Sequence, residues 1–400
     1  MPLTESFVDL GLSPLSNAFV PPERAADPED FYPLHAFVYS GCRLVQLGQV
    51  VPPQAIFADY LYFSSYAESW LRHAERYAAD MTARFGLGHE SQVVEVASND
   101  GYLLRFFQRA GVPVLGVEPA ANVARVAIDA GIPTDIAFFG AATAKRLRAH
   151  GEAADLLVAN NVLAHVPDLN DVAAGLSRLL QPDGVLTIEV PHLLRLIEGV
   201  QFDTIHHEHF SYFSLLAAQR VLAARGLRVF DVARLPTHGG SLRLFVCHHA
   251  SPRHVCSMAV DAVLAEERAV GLDGPDAYRR FGAQMVRSKA SLLSFCIAAR
   301  RAGRLVAGYG APAKGNTLLN YCGIGPDFLC FTVDRSPHKQ GKLLPGSRIP
   351  VLAPQAILEA RPDNVLTLPW NLREEVMAQM AAIRGWGGRF VLPIPSVQVV

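Results

Sequence analysis

Apolar residues recur along this chain in two rhythms. From Ser69 to Phe85 the positions Trp70, Leu71, Ala74, Tyr77, Ala78, Met81 and Phe85 repeat at helical spacing and predict one amphipathic helix. Between Gln92 and about Val246 short apolar runs alternate with amphipathic stretches: VVEVA, a helix from Tyr102, VLGVE, a helix from Asn122, DLLVAN, a helix from Asp171, then GVLTIEV. That alternation predicts a parallel sheet with helices on both faces. LRVFDVARL and GSLRLFVCHH, parted by Pro236 and a glycine pair, add two antiparallel strands and bring the expected sheet to seven. Residues 251–303 read as helical, with Gly303 where a helix is capped. From Arg304 a second strand-and-helix series runs through RLVAGYG, a helix from Ala313, LCFTVD, RIPVL, NVLTLP and RFVLPIP. Residues 1–70 carry turn signals at Ser13-Pro14, Pro21-Pro22 and Pro52-Pro53 and little periodicity, and read as a small irregular module. The expected fold is α/β: a Rossmann-like core at 71–250, a helical connector at 251–303 and a second, smaller Rossmann-like domain at 304–400.

Composition narrows the class. Four hundred residues exceed one compact core. No apolar run is long enough for a membrane-spanning helix, and the start MPLTESFVDLGL does not read as a secretory signal, so a cytoplasmic protein with no membrane partner is expected. Thirty-six basic against thirty-seven acidic residues provide no positive field for a polyanion, which argues against nucleic acid. The six cysteines are scattered without a C-x-x-C pair and, in a reducing cytoplasm, read as buried thiols.

The most informative segment is VVEVASNDGYLLRFF. An apolar strand ends at Glu95, runs into a tight turn through Ser98, Asn99, Asp100 and Gly101, and enters an apolar helix. A glycine there permits a positive φ or close ligand approach, and amides at a helix start suit a carboxylate. Glu118 ends the next strand, followed by Pro119, about twenty residues on, where an acid accepts ribose hydroxyls. The G-x-G-x-x-G cradle for a pyrophosphate is missing, which favours S-adenosylmethionine over NAD. Asn160 and the residues to Asp168 end a further core strand on the same carboxyl edge.

EVASNDG, NNVLAHVPD, HHEHFSYFS at 206–214, THGGSLR at 237–243, GYGAPAKGNTLLNY at 308–321 and DRSPHKQGKLLPG at 334–346 together resemble the three-module sugar C-methyltransferases of deoxysugar pathways. These are the family of the tetronitrose and mycarose C3-methyltransferases. The resemblance implies a zinc-binding N-terminal module, a class I methyltransferase domain using S-adenosylmethionine and releasing S-adenosylhomocysteine, and a C-terminal Rossmann-like domain that helps hold a nucleotide-linked keto sugar. Structural zinc takes four Cys or His ligands, usually paired. Here the first pair is missing ahead of FVDLGLSPLSNAF and the second is reduced to Tyr39 and Cys42, so no zinc is expected.

The resemblance carries the general base onto His209, with Glu208 beside it as an orienting or hydrogen-bonding group, and His165 and Tyr60 onto enolate stabilisation and substrate placement. Tyr62 and Ser64 would close over the cofactor, which Glu95, Ala97, Asn99, Asp100, Gly101, Glu118, Pro119 and Asn160 would hold. His206 stands where the family commonly has tyrosine. His238, Gly240 and Ser241 could line the substrate cleft or simply form a hairpin. Lys314, with Asn316, could meet a sugar diphosphate, or be a solvated lysine at a strand-to-helix turn. The cluster of Cys247, His248, His249, His254 and Cys256 has irregular spacing, and strand neighbours point to opposite faces, so no metal is expected there. Rival readings are an NAD-dependent sugar oxidoreductase and a repurposed homologue acting as a binding protein. A monomer or weak homodimer is expected.

Overall fold

The computed structural model describes residues 5–52, 64–66 and 68–400. Strands β1 (Glu5–Ser13), β2 (Tyr32–Val38) and β3 (Val45–Leu47) form an antiparallel sheet. Its fourth strand arrives from far along the chain, where Ser211–Tyr212 pairs with β3. The expectation of an irregular N-terminal module is therefore corrected. Two shifts of register between β1 and β2, at Ser6/Val8 and Asp9/Leu12, break the alternation that marks a strand in sequence. The sheet is held by apolar packing: Phe7 stacks on Phe281 at 4.7 Å between ring centroids and meets Tyr278 edge-on at 6.0 Å.

The central sheet is the one the alternation predicts. It comprises β4 (Val93–Val96), β5 (Val114–Val117), β6 (Thr134–Asp135), β7 (Ala154–Val158), β8 (Leu180–Pro191) and, beyond β9 (the Ser211–Tyr212 strand of the first sheet), β10 (Leu227–Leu235) and β11 (Ser241–His248). The order is β10-β11-β8-β7-β4-β5-β6, with β4 to β8 parallel and the last two antiparallel. The helix Glu68–Phe85 buries Ala74, Tyr77, Ala78 and Met81, one stripe at helical spacing. Tyr77 meets Phe107 edge-on, and its hydroxyl lies 2.5 Å from Thr187 Oγ1 of β8. A fully buried Phe107 stabilises the fold by about 1.5–3 kcal/mol.

Two helices, Met258–Val270 and Asp276–Arg301, connect this sheet to the next. Gly271 at φ +90° ends the first of them, a conformation that L side chains resist. The connector is pinned at Glu267, which is wholly buried. Its carboxylate accepts the amides of Leu215 and Leu216 at 2.6 and 2.9 Å and pairs with His192 Nε2 at 2.7 Å.

The third sheet contains β12 (Val306–Tyr309), β13 (Thr332–Val333), β14 (Val351–Leu352), β15 (Asn364–Thr367), β16 (Arg389–Leu392) and β17 (Gln398–Val399) in the order β14-β13-β12-β15-β16-β17. All but β17 run parallel. Because β12 has β13 on one side and β15 on the other, the winding reverses there. The crevice at that reversal is where ligands of open α/β sheets bind. The fold is thus α/β, with a Rossmann-like core and a second Rossmann-like sheet. Among the described residues no helix is long and apolar enough to cross a membrane.

Candidate active site

The turn after β4 is built from residues in the left-handed region: Ala97 at φ +54°, Asn99 at +51° and Gly101 at +73°. Two of these carry side chains, a strain that persists only where surroundings impose it. Four amides of the turn are used within the fold itself. Ala97 and Ser98 donate to the Val117 carbonyl, and Gly101 donates to Ser98. Asn99 N–H donates to Glu118 Oε2 at 2.9 Å, while Ala120 N–H donates to Oε1 of the same carboxylate at 2.9 Å. The turn is thereby bound to the following strand through Glu118, which keeps spare lone pairs on both oxygens. Ser64 and Ser65 close over it, their amides donating to Asn99 Oδ1 and Asp100 Oδ2 at 2.9 and 3.1 Å. Tyr60 and Tyr62 lie outside the described residues.

The groups left over around this turn are side-chain oxygens. Among the described residues Glu95 Oε2, Ser98 Oγ, Asp100 Oδ1 and Asn160 Oδ1 are buried without a hydrogen-bond partner. Burial, followed by the charges of Glu118 and Asp100, pushes the Glu95 carboxyl well above the usual range. Three crowded carboxyl groups call for a ligand with positive charge and several N–H or O–H donors. S-adenosylmethionine offers an ammonium, a sulfonium, ribose hydroxyls and an adenine amino group, so the residues present fit it. Glu95, Asp100, Glu118 and Asn160 would hold it; Pro119, between Glu118 and Ala120, belongs to the same edge.

Beyond β7 the chain makes a short helical turn, Leu163–His165, and Phe210 N–H donates to the Ala164 carbonyl at 2.6 Å. That bond carries the HHEH segment across the sheet edge. His209 N–H donates to the His206 carbonyl, so the two imidazoles share one side of a turn. The ring of His209 lies 4.1 Å from that of His206 and 4.6 Å, edge-on, from that of His165. His209 Nδ1 is 3.2 Å from the Thr204 carbonyl. A carbonyl only accepts, so Nδ1 carries the proton and Nε2 keeps its lone pair. Burial, with the neighbouring imidazoles, holds His209 well below the usual histidine value, pushes His206 down to about 3 and, by burial, His165 down to about 4. All three are neutral at pH 7. His209 itself is only half-buried.

Glu208 does not orient His209. Its Oε1 instead accepts from Asn17 Nδ2 at 2.6 Å, and burial pushes its carboxyl up to about 7. Asn17 is 191 positions away and carries no sequence signal for this role. The segment beyond His209 is fixed by the N-terminal sheet, since Leu47 N–H donates to the Phe210 carbonyl and β9 pairs with β3. Those contacts bind the N-terminal module to the segment that carries the histidine cluster.

The C-terminal sheet approaches from the other side. Lys314 is not a solvated lysine: half-buried, it donates to Asn371 Oδ1 at 2.9 Å and stands 4.6 Å from the Trp370 ring. Asn316 is buried, with both side-chain amide atoms unpartnered among the described residues. His238, at φ +56°, caps the β10–β11 hairpin and faces Trp70 edge-on at 5.5 Å. Ser241 Oγ donates to the Thr237 carbonyl at 2.9 Å inside the hairpin, and a side chain at Gly240 would strike Arg195 Cγ at 2.7 Å. Those two residues shape the hairpin. Asp203 and Trp370, which sequence reasoning passed over, meet at 2.6 Å across 167 positions.

The residues of the N-terminal module do not fit zinc. Residues 1–57 contain one cysteine, Cys42, and one histidine, His35, against the four ligands a structural zinc takes. His35 stacks on Phe37, and its Nε2 lies 2.8 Å from Ser6 Oγ. No cluster of three or more potential metal ligands occurs among the described residues. His254 of the Cys247–Cys256 group stacks on Phe230 at 4.3 Å. The expectation of buried cysteines holds for Cys247, Cys296 and Cys322 and is corrected for Cys256 and Cys330, which are exposed.

Three family models cover the chain: a zinc-binding domain at residues 1–57, a methyltransferase domain at 70–232 and a C-methyltransferase C-terminal domain at 236–395. The C-methyltransferase NovU of Streptomyces niveus is 39% identical over 393 residues, 98% of this chain and 93% of that protein. Among solved structures, the 1,6-didemethyltoxoflavin-N1-methyltransferase of Burkholderia thailandensis shares 18% identity, covering 52% of this chain and 97% of its own at a TM-score of 0.36. The magnesium protoporphyrin IX methyltransferase of Synechocystis shares 15%, covering 49% and 88%, at 0.35. The near full-length relative and the matched modules, together with a carboxylate-lined turn suited to a sulfonium nucleoside, establish that the chain belongs to the S-adenosylmethionine-dependent C-methyltransferases.

Proposed function

We propose that the chain methylates a carbon next to the ketone of a nucleotide-linked keto-deoxysugar, C3 of a dTDP-linked 4-keto sugar, with His209 as general base. The observation that carries the reading is the Thr204 carbonyl at His209 Nδ1, which leaves a lone pair on Nε2 of a ring that burial keeps uncharged. A base must be unprotonated and aimed at the proton it removes.

When bound, S-adenosylmethionine supplies an electrophilic methyl group. His209 Nε2 takes the α-proton, and its Nδ1–H bond to Thr204 strengthens as the ring becomes cationic. His165, with Tyr60, donates to the enolate oxygen. Glu95, Asp100, Glu118 and Asn160 hold the cofactor, under Ser64. Lys314 and Asn316 meet the sugar diphosphate, and His238 borders the cleft. His206, in place of the family's tyrosine, shapes substrate orientation. The carboxyl cluster, which would repel a pyrophosphate, argues against the NAD reading. The reading includes a cytoplasmic protein acting as a monomer or weak homodimer.

The test is incubation with S-adenosylmethionine and a panel of nucleotide-linked keto sugars, followed by mass spectrometry and NMR of the products. The expected product gains one carbon-bound methyl group beside the ketone. Methylation at oxygen or nitrogen, or none across the panel, would overturn the proposal.

A further inference from the structure

Asp203 is a wholly buried acid in the short helical turn Phe202–Thr204. A buried acid is costly unless something is gained by keeping it. Its Oδ2 accepts from Trp370 Nε1 at 2.6 Å, while Oδ1 has no partner among the described residues. Trp370 begins the segment after β15, at the winding reversal of the C-terminal sheet, and Lys314 after β12 stands against its ring. Phe202 meets Tyr321 of the helix Ala313–Cys322 edge-on at 5.3 Å. From the central domain, Gln201 Nε2 donates to the Gly239 carbonyl and Thr204 Oγ1 donates to the Gln201 carbonyl. The same turn ends in the carbonyl that holds His209 Nδ1.

One turn of four residues is thus gripped by the C-terminal domain at one end and fixes the imidazole at the other. We propose that Asp203 is a positioning residue through which the C-terminal domain, by way of Trp370 and Lys314, holds the turn that sets the orientation and tautomer of His209. The inference rests on His209 being the base. Asp203 touches none of the reacting atoms. Its task is geometric: a base displaced by about 1 Å can lose on the order of a hundredfold in rate. The arrangement also gives the crevice of the C-terminal sheet a route to the chemistry, because Trp370 donates to Asp203 and carries Lys314 against its ring.

The experiment uses the full chain, a dTDP-linked 4-keto-6-deoxyhexose in D2O, and NMR of hydrogen exchange at the α-carbon. Trp370→Phe keeps an aromatic ring, smaller than the indole, and removes the N–H, and Asp203→Asn removes the charge. Each is expected to slow exchange and kcat about tenfold or more, with affinity for S-adenosylmethionine unchanged. The double variant is expected to be no slower than the worse single one, because the two residues act as a unit. Exchange within twofold of the parent in Trp370→Phe would overturn the proposal, as would multiplicative losses in the double variant. Should Asp203→Asn fail to fold, Trp370→Phe decides alone. His209→Asn separates the two readings: if it still exchanges at the parental rate, the base assignment fails. If His209→Asn is silent while Trp370→Phe exchanges normally, only the positioning role fails.

Discussion

The imidazole of His206 leans over that of His209 with ring centroids 4.1 Å apart and planes inclined by 34°. Two rings this close and flanked by His165 resist protonation together, first because their desolvated surroundings disfavour charge and then because a charge on one opposes a charge on its neighbour.

His209 is the residue whose loss is expected to matter most. His209→Asn should lower kcat by at least about a hundredfold with the affinity for S-adenosylmethionine unchanged by calorimetry, whereas His206→Asn should cost less than about tenfold. The base is active unprotonated and its protonation is pushed below the ordinary value. The rate is therefore expected to hold as pH falls past about 6.5 and to drop only in more acid solution. An acid limb at or above 6.5 would contradict the assignment.

Glu118 accepts one backbone amide on each carboxylate oxygen. Glu118→Gln puts an N–H₂ against one of those amides, so one donor loses its acceptor at a cost of about 1–3 kcal/mol. Cofactor affinity is expected to fall about tenfold or more in titration calorimetry, since the left-handed turn loses its tie. Unaltered affinity would separate Glu118 from the cofactor site.

Glu208 should make stability depend on pH. Its folded carboxyl titrates at about 7, above the value of about 4.3 for an unfolded glutamate. The folded state therefore binds more protons between these values. This contribution is fully present below about 4.3 and is lost as pH rises through about 7. Glu208→Gln is expected to gain stability over the parent near pH 8, by no more than about 3.7 kcal/mol, relative to the difference near pH 4. Denaturant titrations at both pH values measure it; a difference independent of pH would refute the shift.

Glu267 has no place in the chemistry but holds the connector. Glu267→Ala leaves His192 and the amides of Leu215 and Leu216 without their partner in a dry interior. Breaking such a buried pair costs about 3–5 kcal/mol. The unfolding midpoint in urea should fall accordingly, and a loss under about 1 kcal/mol would mean that the site rehydrates.

Much of the fold is legible in sequence because periodicity is local. The strands around Glu95, Glu118 and Asn160, and the helix Glu68–Phe85, show their buried faces in spacing alone. The small N-terminal sheet does not, because β-bulges disrupt the alternation and its last strand lies far along the chain. The two-residue β17 is too short to carry a pattern.

For the site, the residue types and the chemical class come from the sequence: the acid-ended strands, the turn at 97–101 and the HHEH segment stand in it as contiguous motifs. The partners of those motifs are set by the tertiary structure. Asn17 on Glu208 and Trp370 on Asp203 are each more than 150 positions apart. The pairing that turned the amides of the turn toward Glu118 and Val117 is likewise a matter of the folded chain. A hydrogen bond depends on distance and direction in space, and linear spacing encodes these only within one helix turn or one strand pair.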